Sequence, residues 1–183
     1  MVRWVVLLLV SLLGAAGCEK QPNAAGATHS VTPFPSISFM TLDGGVIPFE
    51  SFRGKLVVLN IWATWCSPCR REMPALERLS RSLDPQRFAV IGLSVDEDEH
   101  VVREYLNDKG ITFARFIDKD LKIVHDLLGV GVYPTTILIA PDGTLIGRMV
   151  GPRQWESRAM HDLLRDAFDG KPVRLEDIPV YAG

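Results

Sequence analysis

Leu56-Val57-Val58-Leu59-Asn60-Ile61-Trp62 runs through Ala63-Thr64-Trp65 into Cys66-Ser67-Pro68-Cys69. The first seven residues hold one polar member and show no polar/apolar alternation, so neither face of the segment is destined for water. Such a run reads as a strand covered on both sides, as parallel sheets require. After Cys66 the period changes. Met73, Leu76, Leu79 and Leu83 recur at helical spacing, while Arg70, Arg71, Glu77 and Arg81 fall toward water, which predicts a helix from about Ser67 to Leu83. Pro74 inside it predicts a kink.

A cysteine pair therefore sits where a buried strand gives way to a helix. Unpaired N–H groups and the helix dipole favour negative charge at that end, so Cys66 reads as a thiolate nucleophile. Cys69 lies on the same helical face one turn further in, near enough to form a disulfide and better shielded, and reads as the resolving thiol. Pro68 fits a first helical turn, where its missing N–H would be unpaired anyway. Two plainer accounts compete. A purely structural disulfide would close a very short loop, at the weak end of the chain-entropy gain. A zinc site needs further ligands, and His29, His100, His125 and His161 are scattered. Neither a metal nor a cofactor other than the cysteine pair itself is expected. Trp62 reads as core, Trp65 as a wall beside the sulfur, and His125 as a solvated helix histidine.

Outward from this centre, Ser36 to Phe49 reads as a hairpin turning at Asp43-Gly44-Gly45. Phe88 to Val95 is a second buried strand. Glu97 to Lys109 is an amphipathic helix with Val101, Val102, Tyr105 and Leu106 inward, closed by Gly110. A short strand over Phe113 to Ile117 and a helix from about Asp120 to Leu128 follow. Thr135 to Ala140 and Thr144 to Val150 form a hairpin across Pro141-Asp142-Gly143, and a last helix runs from about Gln154 to Phe168. Alternating strands and helices with a closing hairpin predict an α/β fold with a mixed central sheet.

The 183 residues, 47% hydrophobic, suffice for one core-bearing domain, and a net charge of -2 without a Lys/Arg block leaves no footprint for nucleic acid. Arg3 followed by an apolar run from Val5 to Gly17 reads as a secretory signal. As a helix that run rises only about 20 Å, short of the roughly 30 Å hydrocarbon core, so cleavage is expected rather than a permanent span. Ala15-Ala16-Gly17-Cys18 resembles a lipoprotein lipobox, with Ala15 where Leu is usual. Lipidation of Cys18 is expected, against an ordinary signal peptide or an uncleaved anchor. The division is then residues 1–17 as signal, 18–32 as flexible tether, 33–170 as the domain and 171–183 as a tail.

From Gly54 to Pro74 the sequence resembles the TlpA/ResA-type branch of the thioredoxin superfamily, and Val132-Tyr133-Pro134-Thr135-Thr136 supports the match, which spans roughly Pro33 to Phe168. The resemblance implies a thioredoxin-like fold with an extra N-terminal hairpin and a central strand-helix insertion. It also implies a cis peptide bond at Tyr133-Pro134, and a client surface made by Trp65, Ser67, Pro68, Tyr133 and Thr135 around the catalytic Cys66, Cys69 and Pro134. Two departures stand out: Asn60 replaces the buried Asp of thioredoxin, and Ser67-Pro68 replaces Gly-Pro. Glu72, three residues beyond Cys69, matches a functional glutamate of the ResA-like group and is the expected proton acceptor, against the alternative of a surface glutamate in an ion pair.

By the same resemblance the protein is expected to be a reductant of protein disulfides; with the N-terminal signal and Cys18 it is expected to act outside the cytoplasm, anchored to the membrane, as a monomer. It would draw electrons from a thiol-transferring membrane protein and serve the oxidised CxxCH site of apocytochrome c. The alternatives are a disulfide-forming oxidant, a copper-delivery protein, for which the cysteine spacing is too narrow, and a peroxiredoxin-like protein, for which a partner cysteine in the same turn is out of place.

Overall fold

Seven strands form a single sheet in the computed structural model, which describes residues 32–181. In chain order the elements are β1 (Ser38–Thr41), β2 (Val46–Pro48), β3 (Leu56–Trp62), α1 (Ser67–Ser82), β4 (Phe88–Ser94), α2 (Glu99–Asp108), β5 (Ala114–Ile117), β6 (Thr135–Ile139), β7 (Leu145–Val150) and α3 (Arg158–Phe168). The sheet order is β2-β1-β5-β4-β3-β6-β7. β3 pairs parallel with β4 and antiparallel with β6, and all seven of its residues are buried, which is why it lacks alternation. The fold is thioredoxin-like: a mixed sheet flanked by helices. The signal, the Cys18 site and all but Thr32 of the tether lie outside the described residues. Among the described residues no helix is long and apolar enough to cross a membrane.

The register positions the chemistry. β3 runs toward Trp62 and the cysteines, while antiparallel β6 starts at Thr135, opposite Ile61. The loop after β3 and the loop before β6 therefore meet at one end of the sheet. β4 also ends there, at Ser94 beside Trp62, so the site forms outside the carboxyl ends of the parallel strands, where open α/β sheets place their crevices.

Several elements depart from expectation. Pro74 falls inside α1, where the sequence placed it, and leaves the Arg70 carbonyl without its helical donor; the Tyr105 hydroxyl, from α2, donates to that oxygen at 3.1 Å. Glu77 does not face water. It is buried, and its carboxylate accepts from the Thr112 N–H (2.8 Å), the Thr112 hydroxyl (2.6 Å) and Arg81 Nε (2.6 Å), which ties α1 to the approach to β5. Val101, expected inward, is 46% exposed, whereas Val102 and Leu106 carry the packing of α2. The helix expected over Asp120 to Leu128 is a π-helical turn at Lys122–Leu127, entered through Leu121 in the left-handed region and pinned by Asp118, whose carboxylate accepts from Val124 N–H at 2.7 Å. α3 begins at Arg158, capped by the Ser157 hydroxyl, because Arg153 and Trp155 are drawn toward α1 instead of opening the helix.

Candidate active site

Cys66 is the N-cap of α1. Its extended backbone (φ -82°, ψ 102°) stops the strand side, and its sulfur accepts from the Cys69 N–H at 3.3 Å. Ser67 and Pro68 open the helix, and Pro68 removes no helical hydrogen bond there. Cys66 and Cys69 are joined as a disulfide, with Cα atoms 5.2 Å apart. Cys69 is fully buried, while Cys66 retains 6% of its surface. Ser67 is exposed and its hydroxyl accepts from Arg71 Nη1 at 3.0 Å.

The turn that delivers Cys66 is held from β4. The buried Asp96 carboxylate accepts from the Thr64 N–H (2.9 Å), the Thr64 hydroxyl (2.6 Å) and the Ser94 hydroxyl (2.6 Å), and Arg70 Nη1 donates to the Thr64 carbonyl at 3.2 Å. Three of these four bonds fall on Thr64, two residues before the sulfur, and the fourth steadies Asp96. Sequence reading missed Asp96, whose only signal was an acidic residue directly after a buried strand.

Facing this turn is the loop before β6, with a cis Tyr133-Pro134 bond. Pro134 is buried, and its carbonyl accepts from the Gly151 N–H at 2.8 Å. Tyr133 meets the 64% exposed Trp65 edge-on, ring centroids 5.8 Å apart, so the two rings flank the approach to Cys66. His125 is more than a solvated helix residue: its Nε2 lies 2.8 Å from the Tyr133 hydroxyl. Thr135 is not presented to a client. It is buried, and its hydroxyl donates to the Val132 carbonyl at 2.7 Å. Among the described residues no cluster of His, Cys, Asp and Glu could hold a metal ion.

Glu72, one turn after Cys69, is only 1% exposed. Three donors surround its carboxylate: Asn60 Nδ2 on Oε1 (2.9 Å), and on Oε2 the Trp155 indole N–H (2.9 Å) and the Arg153 backbone N–H (3.0 Å). Asn60 Nδ2 also donates to the Thr136 hydroxyl at 3.1 Å, so the position of thioredoxin's buried Asp now orients a different carboxyl. Arg153 and Trp155 were not singled out from the sequence. They lie 81 and 83 residues from Glu72, and no local pattern connects them to it.

Burial pushes the Glu72 pKa above the ordinary carboxylate value, and the hydrogen bonds from Arg153, Asn60 and Trp155 and the Arg153 charge only partly offset that push. The folded chain thus keeps a proton that the unfolded chain releases near pH 4.5. This contribution to stability is complete below that pH and is lost as pH rises through the folded value. Denaturant unfolding of the oxidised chain should therefore show a decline across that window that is absent in Glu72→Gln. A decline of the same size in the variant would assign it to other groups.

A disulfide at the start of a helix, a buried carboxyl one turn beyond it and a cis proline opposite give a site for exchange at sulfur. The AhpC/TSA family model matches residues 31–148. The chain belongs to the AhpC/TSA family. The thiol-disulfide oxidoreductase ResA of Bacillus thuringiensis (strain Al Hakam) is 35% identical over 159 residues, covering 82% of this chain and 88% of that protein. The thioredoxin-like protein YneN of Bacillus subtilis (strain 168) is 37% identical over 156 residues, covering 81% and 90% respectively. Among solved structures, a thiol:disulfide interchange protein of the thioredoxin family from Chlorobium tepidum TLS is 30% identical, with a TM-score of 0.65 and coverage of 75% of this chain and 97% of that one. This AhpC/TSA-family member is a thiol-disulfide oxidoreductase, and Cys66 and Cys69 are its redox pair.

Proposed function

We propose that this oxidoreductase works outside the cytoplasm as a reductant of protein disulfides, with the oxidised CxxCH site of apocytochrome c as its client. Cys66 attacks, Cys69 resolves, Glu72 takes up the proton, and no cofactor beyond the cysteine pair takes part. The observation that carries the assignment of roles is the asymmetry of the two sulfurs: Cys66 has exposed surface and an N–H donor at the helix start, whereas Cys69 has no exposed surface and sits one turn from a buried carboxylate.

In the reduced protein the Cys66 thiolate attacks one sulfur of the client disulfide and expels the other as a thiolate. Cys69 then gives its proton to the Glu72 carboxylate and attacks Cys66, which expels the second client sulfur and closes the Cys66–Cys69 disulfide. Two electrons pass to the client. A thiol-transferring membrane protein returns them by the reverse exchange, because no glutathione or thioredoxin pool maintains thiols outside the cytoplasm. Pro134 and Tyr133, with Trp65, Ser67 and Pro68, form the surface the client meets. The signal features before Cys18 and the lipobox-like residues at it support export and lipid anchoring.

Equilibration of the Cys66/Cys69 couple with glutathione and dithiothreitol buffers should give a strongly reducing potential, near thioredoxin's about -270 mV. A value near that of DsbA, about -120 mV, would reverse the direction of electron flow.

A further inference from the structure

Residues 169–181 have no role in the exchange chemistry described above, yet they finish against the segment that holds Glu72. Leu175 packs over Gly147 of β7 so closely that a Cβ at Gly147 would stand 2.7 Å from the leucine Cδ1, and Ile178 is buried. These contacts anchor the last stretch. It then runs antiparallel to the segment after β7: the Gln154 N–H donates to the Pro179 carbonyl (3.2 Å), the Tyr181 N–H donates to the Pro152 carbonyl (3.0 Å), and Arg153 bridges Val180. The gripped residues, Pro152 to Gln154, include Arg153, whose backbone N–H reaches Glu72, and they lead directly into Trp155, whose indole reaches the same oxygen. Tyr181 also lines, with Arg71, Arg153 and Glu156, a surface cleft of about 530 Å³ that opens beside Glu72.

We propose that the C-terminal residues 178–181 are a positioning segment of the active site, holding the Arg153–Trp155 segment so that its two N–H groups stay on Glu72 and set the pH at which Cys69 resolves a mixed disulfide. The inference rests on Glu72 as the proton acceptor. The segment after β7 has no regular structure of its own between β7 and α3, so its backbone needs partners from elsewhere to hold one position. The tail supplies two of them by main-chain bonds that do not depend on side-chain type. The charged and titratable groups facing Glu72 are the Arg153 guanidinium from the segment after β7, Cys69 on its own helix, and Arg71, Glu156 and Tyr181 around the cleft. β3 and β6 bring only the uncharged Asn60 and Thr136.

The test uses the reduced full-length chain with Cys18→Ser in every variant, so that only Cys66 and Cys69 react, and the aromatic disulfide 5,5′-dithiobis(2-nitrobenzoate). Attack by Cys66 releases one thionitrobenzoate, and resolution by Cys69 releases the second, so the second phase of a stopped-flow trace reports Cys69. In the wild type that phase should slow on acidification as Glu72 takes up a proton. Tyr181→Pro removes the N–H donated to Pro152 and should move this limb to higher pH by about one unit, since losing a donor favours the neutral carboxyl. Tyr181→Ala retains the N–H and should leave the limb in place. A chain ending at Asp177 should reproduce the Tyr181→Pro shift. In a Glu72→Gln background the limb should vanish and the tail variants should have no further effect.

A wild-type limb retained by Glu72→Gln would overturn the role of Glu72 itself. If Glu72→Gln abolishes the limb while Tyr181→Pro and the truncation leave it unmoved, only the tail proposal falls. It also falls if the tail variants shift the second phase equally in the Glu72→Gln background.

Discussion

Cys66→Ala and Cys69→Ala each lose steady-state disulfide turnover by more than about a thousandfold, and they lose it differently. Without Cys66 the sulfur left of the pair is Cys69, which has no exposed surface. With Cys18 replaced by Ser, that variant should release no thionitrobenzoate beyond the spontaneous background. Without Cys69, in the same Cys18→Ser background, the first attack remains possible, and the trace should show a single release equal to the protein concentration, followed by no second phase. A structural disulfide gives a different pattern, in which both variants lose stability and the wild type itself shows no disulfide turnover for them to lose. Substantial turnover by either variant would remove the paired-thiol mechanism.

Trp155→Ala should be the most damaging single change outside the cysteines, costing about 3–5 kcal/mol in urea unfolding of the oxidised chain. The indole is fully buried and its N–H is bonded to Glu72, so truncation leaves both a cavity and a carboxyl with one donor fewer. Trp155→Phe separates the two effects. It retains most of the buried ring and removes the donor, so its stability loss should be smaller, while Glu72 should stay protonated to higher pH and the pH-linked decline in stability should extend upward. A loss below about 1 kcal/mol for Trp155→Ala would mean that the ring does not pack as described.

The parts of this molecule that were legible in the sequence are those written in local periodicity. β3 announced itself by seven apolar or buried positions without alternation, α1 by its 3–4 spacing, and the β6–β7 hairpin by Pro141-Asp142-Gly143. The cysteine motif followed from the junction between the first two. The arrangement around Glu72 was not legible, because its oxygens are satisfied by β3 and by a segment some eighty residues later, which approach only after the sheet has formed. Glu77 misled for the same reason. Its helical position looks solvated until the chain before β5 places Thr112 and Phe113 N–H groups over it. The end of α3 was read correctly and its start was not, since Trp155 satisfies an apolar pattern equally well as a first helical turn or as a partner for α1. The pairing of β1 with β5 likewise depends on a contact between distant segments that neither strand encodes alone.

The division of labour between the sulfurs is tested most directly by the covalent adduct itself. Reduced Cys69→Ala mixed with a disulfide-bonded CxxCH peptide, quenched with acid and digested, should yield one cross-linked species in mass spectrometry, with the peptide joined to Cys66. Failure to form any adduct under conditions where the wild type reduces the peptide would contradict the account.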